Sequence, residues 1–177
     1  MNTPLNAFRR AYERFVSSAN LLQAPFLLGL RVYFFWQLFQ TGQGKLAHLD
    51  KITEYFASLR IPFPTINAAL AGATETFGGL LLIVGLASRL TAIPVAITMG
   101  VAYLTADFEA VTSFFSNPDK FVQAAPFPFL LAALVVLAFG PGRFSLDAWI
   151  RRTATRRTGP QPAGFEETRR AVSKLSA

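Results

Sequence analysis

Two ionised side chains stand inside otherwise apolar stretches, Arg31 and Glu75, and a third, Lys45, falls with Gln43 and His48 where the first stretch ends. A lone charge at the centre of a bilayer costs at least about 3 kcal/mol, so opposite charges at one depth are expected to meet. Arg31 lies about ten residues, and Glu75 about eleven, from the ends of spans that run in opposite directions, which puts both roughly 15 Å deep. An Arg31–Glu75 ion pair is therefore expected. Such a pair either specifies how the helices assemble or lines a polar pocket for a headgroup or a proton path, and the residues leave both readings open. Lys45 is expected to snorkel from a helix end.

Other chemistries are narrowed by composition. Cysteine is absent, which removes disulfides, thiolate metal sites, CxxC redox pairs and thiol nucleophiles from this chain. His48 is the single histidine; without a neighbouring His or Cys it makes a poor ligand set, and no metal site is expected. Arg89 reads as a charged topogenic turn and Gly140 to Arg143 as a helix stop by glycine and proline, because no strand precedes and no Lys-Ser/Thr follows, as a phosphate loop requires.

The elements that carry these residues are membrane helices. Of 177 residues 52% are hydrophobic, with 18 Phe, too apolar for an ordinary soluble domain. Since one span takes about 20 apolar residues, the chain holds four, at about residues 21–41, 65–86, 89–106 and 118–140. The fourth is expected to run from an Asn117 N-cap with Pro118 at the first helical position and to kink at Pro126 and Pro128; a re-entrant segment competes with it. Ala71, Glu75, Gly78, Leu82 and Gly85 form one face of the second span, small enough for a neighbouring helix to approach.

Around the spans, Phe8, Tyr12 and Phe15 at helical spacing opposite Arg9, Arg10, Glu13 and Arg14 predict an N-terminal interfacial helix, retained rather than cleaved. Leu46, Leu49, Ile52, Phe56 and Leu59 predict a helix along the membrane surface. Asp107, Glu109, Phe114, Phe115 and Asp119 predict a small acidic and aromatic lid. Residues 1–150 form one membrane domain, and residues 151–177 a flexible basic tail. Twelve Lys and Arg lie in the N-terminal segment, the turn at Arg89 and the tail, against Lys45, Lys51, Arg60 and Lys120 on the other side. That bias places both termini in the cytoplasm of a bacterial inner-membrane protein and accounts for the net charge of +7 without nucleic acid. Membrane lipid is the expected partner.

Four segments in order, GQGKL (Gly42 to Leu46), IPFP (Ile61 to Pro64), ETFGGLLLIVGLASRL (Glu75 to Leu90) and GPGRFSLD (Gly140 to Asp147), resemble the DoxX family of four-helix membrane proteins. The resemblance covers about Leu22 to Asp147. It implies an all-α four-helix bundle, with the family's charged positions on Arg31, Lys45, Glu75 and Arg89. It further implies an association with quinone-linked oxidoreductases, including a subunit of thiosulfate:quinone oxidoreductase and complexes that handle sulfur compounds or oxidative stress. No catalytic residue set comes with it.

Two functions of different classes follow. One is a quinone-binding membrane subunit, with the quinone near Arg31, Glu75 and Lys45 and the redox centre on partner subunits, because the chain has no Cys, haem or flavin motif of its own. The other is a non-enzymatic scaffold or small-molecule permease in which the ion pair is structural. Self-association is open in either case.

Overall fold

A computed structural model describes residues 4–157. They are all-helical: α1 (Pro4–Ala47), α2 (Leu49–Ser58), α3 (Pro64–Val84), α4 (Ser88–Thr105), α5 (Phe108–Thr112), α6 (Pro118–Gln123), α7 (Phe127–Phe139) and α8 (Leu146–Arg157). α3 and α4 are long and apolar enough to cross a membrane. α1, α3, α4 and α7 pack around one core of Phe35, Leu38, Leu82, Ala92, Val95, Met99, Ala132, Ala133 and Val136. Other large apolar residues point outward, Phe26, Tyr33, Phe77, Leu90 and Ile97 each being more than half exposed. Within the core Ala92, Ala132 and Ala133 let α4 and α7 approach closely, and the many bulky side chains left outside suit helices in lipid, where burying further Phe or Leu gains little.

α1 has 44 residues, about 66 Å at 1.5 Å per residue. A separate interfacial helix before the first span is therefore not formed; Phe8, Tyr12 and Phe15 are exposed on the N-terminal half of the same helix. Nothing between residues 14 and 24 breaks it. Pro25 lies within the helix, where neighbouring groups in a membrane helix can re-satisfy the carbonyl that its missing N–H would have bonded. At the other end α1 continues through Lys45 into α2, whose Leu49, Ile52 and Phe56 face inward while none of its residues is fully buried.

The fourth apolar segment departs from a single helix over 118–140. α6 stops at Gln123, Ala124 is extended at φ −62° and ψ 140°, and α7 starts at Phe127. Pro126 and Pro128 each remove an N–H and crowd the carbonyl four residues back, so a continuous helix would lose two of three successive bonds there. Asn117 precedes α6 but its side chain forms no cap. α7 alone is 13 residues, about 20 Å against a hydrocarbon core of about 30 Å.

Once released from α7, α6 folds against α4 and α5. Tyr103 donates its hydroxyl to the Phe121 carbonyl at 2.7 Å and stacks on the Phe121 ring at 4.5 Å, and Phe114 and Phe127 meet that ring edge-on. Lys120 bonds Glu109 on the exposed side, and this hydrogen bond and charge hold the Glu109 carboxyl below its ordinary pKa. The tail expected from residue 151 is helical as far as Arg157; its remainder lies outside the described residues.

The α1–α3 seam sets how close the backbones come. A Cβ on Gly42 would stand 2.5 Å from the Thr76 amide nitrogen and 2.8 Å from the Glu75 Cβ, whereas a Cβ on Gly44, half a turn on, would meet nothing. Gly42→Ala is expected to destabilise by about 1–3 kcal/mol, because α3 main chain cannot yield as a side chain could. Gly44→Ala should be neutral or slightly stabilising through helix propensity. Thermal unfolding of the two variants in the same detergent checks the contrast; equal losses would mean that the seam is not this tight.

Candidate functional site

The last four carbonyls of a helix have no partner within it and carry the negative end of its dipole. At the end of α3 they are met by Arg31. Its Nε donates to the Leu82 carbonyl at 2.9 Å and its Nη2 to the Ile83 carbonyl at 2.8 Å. Its Nη1 reaches the Pro141 and Phe144 carbonyls of the loop after α7. The residue is 1% exposed, with all its recorded partners on main chain.

The expected Arg31–Glu75 pair is not formed. Opposite residues along the antiparallel seam are Arg31 with Leu82 and Ile83, Gly42 with Thr76, and Leu46 with Gly72. Bringing Arg31 to Glu75 would need a register shift of about ten residues, roughly 15 Å. The expectation failed because it counted depth from a first span starting at residue 21; α1 is already helical there and its packed part lies several residues further on.

Glu75 instead bonds Lys45. Lys45 Nζ lies 2.5 Å from Glu75 Oε1, and the Thr41 hydroxyl lies 3.4 Å from Glu75 Oε2. The carboxylate is 2% exposed and the Lys45 side chain 29% exposed. Lys45 therefore turns inward to a buried counter-ion instead of snorkelling away. Its place in the last turn of α1 also suits that helix's dipole. Thr41 was not singled out by the sequence, although it lies one turn before Lys45 and so on the same face. His48 is exposed, with Nδ1 3.1 Å from the Gly44 carbonyl. Among the described residues no three His, Cys, Asp or Glu side chains converge on a point where a metal could sit.

The small face of α3 divides between partners. Gly78 lies against Val95 of α4, while Gly85 is the helix cap, at φ 77°, where a Cβ would stand 2.7 Å from Arg31 Nη2. Glycine is thus required there both by the left-handed backbone and by the guanidinium beside it. Arg89 and Arg143 are exposed; Arg89 Nη2 donates to the Ala138 carbonyl at 3.1 Å.

A further carboxylate escaped the sequence reading. Asp147, at the start of α8, accepts from the Ala87 and Ser88 amides at 2.7 and 2.9 Å, and its own amide donates to the Gly85 carbonyl at 2.9 Å. It caps α4 from another element. Burial works to raise its carboxyl, but the amides of Ser88 and Ala87, helped by the charge of Arg151, outweigh it and hold the pKa below the ordinary carboxylate value. The signal was the start of α4 itself, where Ala87 offers no capping side chain and the orphan amides need an acceptor from elsewhere.

These contacts separate two interactions that the sequence had merged. In double-mutant cycles Lys45→Ala and Glu75→Ala should couple by about 0.5–3 kcal/mol, while Arg31→Ala and Glu75→Ala should add within about 0.5 kcal/mol. Strong coupling of Arg31 to Glu75 would overturn the observed register. Because the folded pKa of Asp147 is depressed, the stability it contributes is complete above the carboxylate's unfolded pKa of about 4 and is lost as pH falls through the lower folded value. Asp147→Asn should remove that acid-side dependence, as followed by unfolding of wild type and variant between pH 7 and 3; an unchanged acid limb would show that Asp147 does not carry it.

Known proteins extend the comparison. Residues 26–108 match the model of the DoxX family, which takes in Arg31, Lys45, Glu75 and Arg89. An uncharacterized protein of Haemophilus influenzae is 28% identical over 134 residues, 71% of this chain and 83% of that protein. An uncharacterized membrane protein of Mycobacterium tuberculosis is 31% identical over 111 residues, 56% of this chain and 65% of that protein. No solved structure matches the chain. Over residues 26–108, from the middle of α1 to the start of α5, this membrane protein thus matches the DoxX family.

Proposed function

We propose that the chain is a multi-pass bacterial inner-membrane protein, with α1, α3, α4 and the broken segment 118–140 crossing and both termini in the cytoplasm, that serves as the quinone-binding membrane subunit of an oxidoreductase complex. The single observation carrying this reading is the buried Glu75 carboxylate held by a partly exposed Lys45. An ammonium that is fixed by a carboxylate yet still reachable can donate to a quinone carbonyl, and the carboxylate beside it can exchange a proton. Reducing a quinone to its quinol takes two electrons and two protons. The protons can pass through such a pair; the electrons come from a partner, since the chain has no cysteine to ligate a cluster and no redox group of its own sequence. Partners that handle sulfur compounds or oxidative stress fit the family resemblance.

Orientation rests on the excess of Lys and Arg at the end of the bundle that holds the α3–α4 turn and α8. Four crossings return the chain to the side on which it began.

The second reading, a scaffold or permease without redox partners, is favoured by Arg31, whose recorded bonds all go to main chain and so build structure. Glu75→Gln separates the two. The amide can still accept from Lys45, and Lys45, being partly exposed, can be solvated when its counter-ion is lost, so the variant is expected to accumulate normally. Quinone retained by the wild-type protein after purification in mild detergent should be lost from Glu75→Gln, together with quinone-dependent turnover of the complex. Wild-type protein that carries neither quinone nor an oxidoreductase partner, or normal turnover per molecule in Glu75→Gln, would replace this function with the scaffold.

A further inference from the structure

At the end of the bundle away from Lys45 and Glu75, α1, the α3–α4 turn, the loop after α7 and α8 enclose a cleft of about 890 Å³. Four arginines line it, Arg89, Arg143, Arg151 and Arg152, with Asp147 as the facing carboxylate. Asp147 already has both oxygens on the amides of Ala87 and Ser88. The charged side chains lining the cleft therefore carry four positive charges against one negative.

We propose that this cleft binds the phosphate of an anionic phospholipid. Guanidinium groups are planar forks that match phosphate oxygens two at a time, and Arg89 uses its recorded bond, to the Ala138 carbonyl, at the rim, leaving other N–H groups on the same fork. Topogenic arginines only need to lie on the correct side of the membrane. Here Arg89 comes from the first turn of α4 and the other three from after α7, yet the fold turns them onto one cavity.

The remaining wall selects an amphiphile over a soluble phosphate. Leu21, Leu90 and Phe139 line the same cleft and are 68%, 72% and 65% exposed, so apolar surface runs from beside the arginines onto the outside of the bundle. A phosphate held there would have its acyl chains against those side chains. Trp149 and Ile150 of α8, also exposed, suit the interfacial depth at which a headgroup sits. The cleft has the size of a small-molecule site, and basic pockets between membrane helices are a recognised way of holding anionic headgroups. The site is separate from the Lys45–Glu75 pair and stands whether or not a quinone binds there.

The test uses the full-length chain in mild detergent, freed of lipid, with phosphatidylglycerol, phosphatidylcholine and glycerol phosphate as probes. Native mass spectrometry counts bound lipid and thermal unfolding reports stabilisation. Phosphatidylglycerol is expected to bind with preference over phosphatidylcholine and to raise the unfolding temperature. At about fivefold per arginine, R143Q/R152Q should weaken phosphatidylglycerol about twenty-fivefold, while K51Q on α2, the loss of one charge at the other end, should not weaken it even fivefold. Both substituted side chains are exposed, so the lipid-free unfolding temperature should be unchanged. If the double variant does not fold, R143Q and R152Q singly should each weaken binding about fivefold. Equal binding of phosphatidylcholine, or arginine variants that bind phosphatidylglycerol as wild type does, would overturn the site. Displacement of the lipid by an equal concentration of glycerol phosphate would overturn the choice of a lipid.

Discussion

A buried guanidinium with no carboxylate bonded to it has to find its acceptors elsewhere, and Arg31 finds them on the main-chain carbonyls of two separate segments. Leu82 and Ile83 belong to the last turn of α3, where carbonyls have no helical partner; Pro141 and Phe144 belong to the loop that follows α7. One side chain on α1 thereby ties the ends of α3 and α7 together. The cation also suits the negative end of the α3 dipole, while the planar fork lets its nitrogens reach several acceptors at once. A lysine at that place would supply charge but not this geometry.

The register of the bundle is consistent with that clamp. With Arg31 opposite the end of α3, antiparallel packing brings Gly42 against Thr76 and carries Lys45 to Glu75. The two polar centres thus stand at different levels of one helix pair and have different chemistry. The Arg31 centre is a cation bound to carbonyls through all three of its nitrogens. The Lys45 centre is an ion pair with one buried and one partly exposed member, which leaves a polar group that something outside the chain can reach.

The segments at the Arg31 end interlock for related reasons. Gly85 turns the chain at positive φ and leaves room for the guanidinium; its carbonyl then accepts from the Asp147 amide, while the Asp147 carboxylate serves the amides that open α4. Orphan carbonyls at the end of α3 and orphan amides at the start of α4 are thus answered from distant stretches of chain. The loop that supplies Pro141 and Phe144 to Arg31 leads directly into Asp147, so the start of α8 is held against the α3–α4 turn. The arginines of the cleft are brought together by the same contacts.

The sequence by itself determined the membrane class and most of the helices: the apolar stretches, the glycine and proline stops, and a short helix read from the spacing of Leu49, Ile52 and Phe56. It also isolated Arg31, Lys45 and Glu75 as the charges that need an explanation, because the cost of a bare charge in hydrocarbon depends on local composition alone. Which of them pair depends on helix register, and apolar patterning in a membrane helix marks faces without marking axial position. Opposite charges were therefore matched by depth, and backbone carbonyls, which leave no trace in the sequence, were overlooked as partners. The break at Pro126 was visible as two prolines, but its outcome, a helix turned onto Tyr103, rests on a contact with residues about twenty positions away. The Asp147 cap and the arginine cleft likewise join residues more than fifty positions apart. Only the folded chain decides which distant donor meets which orphan acceptor.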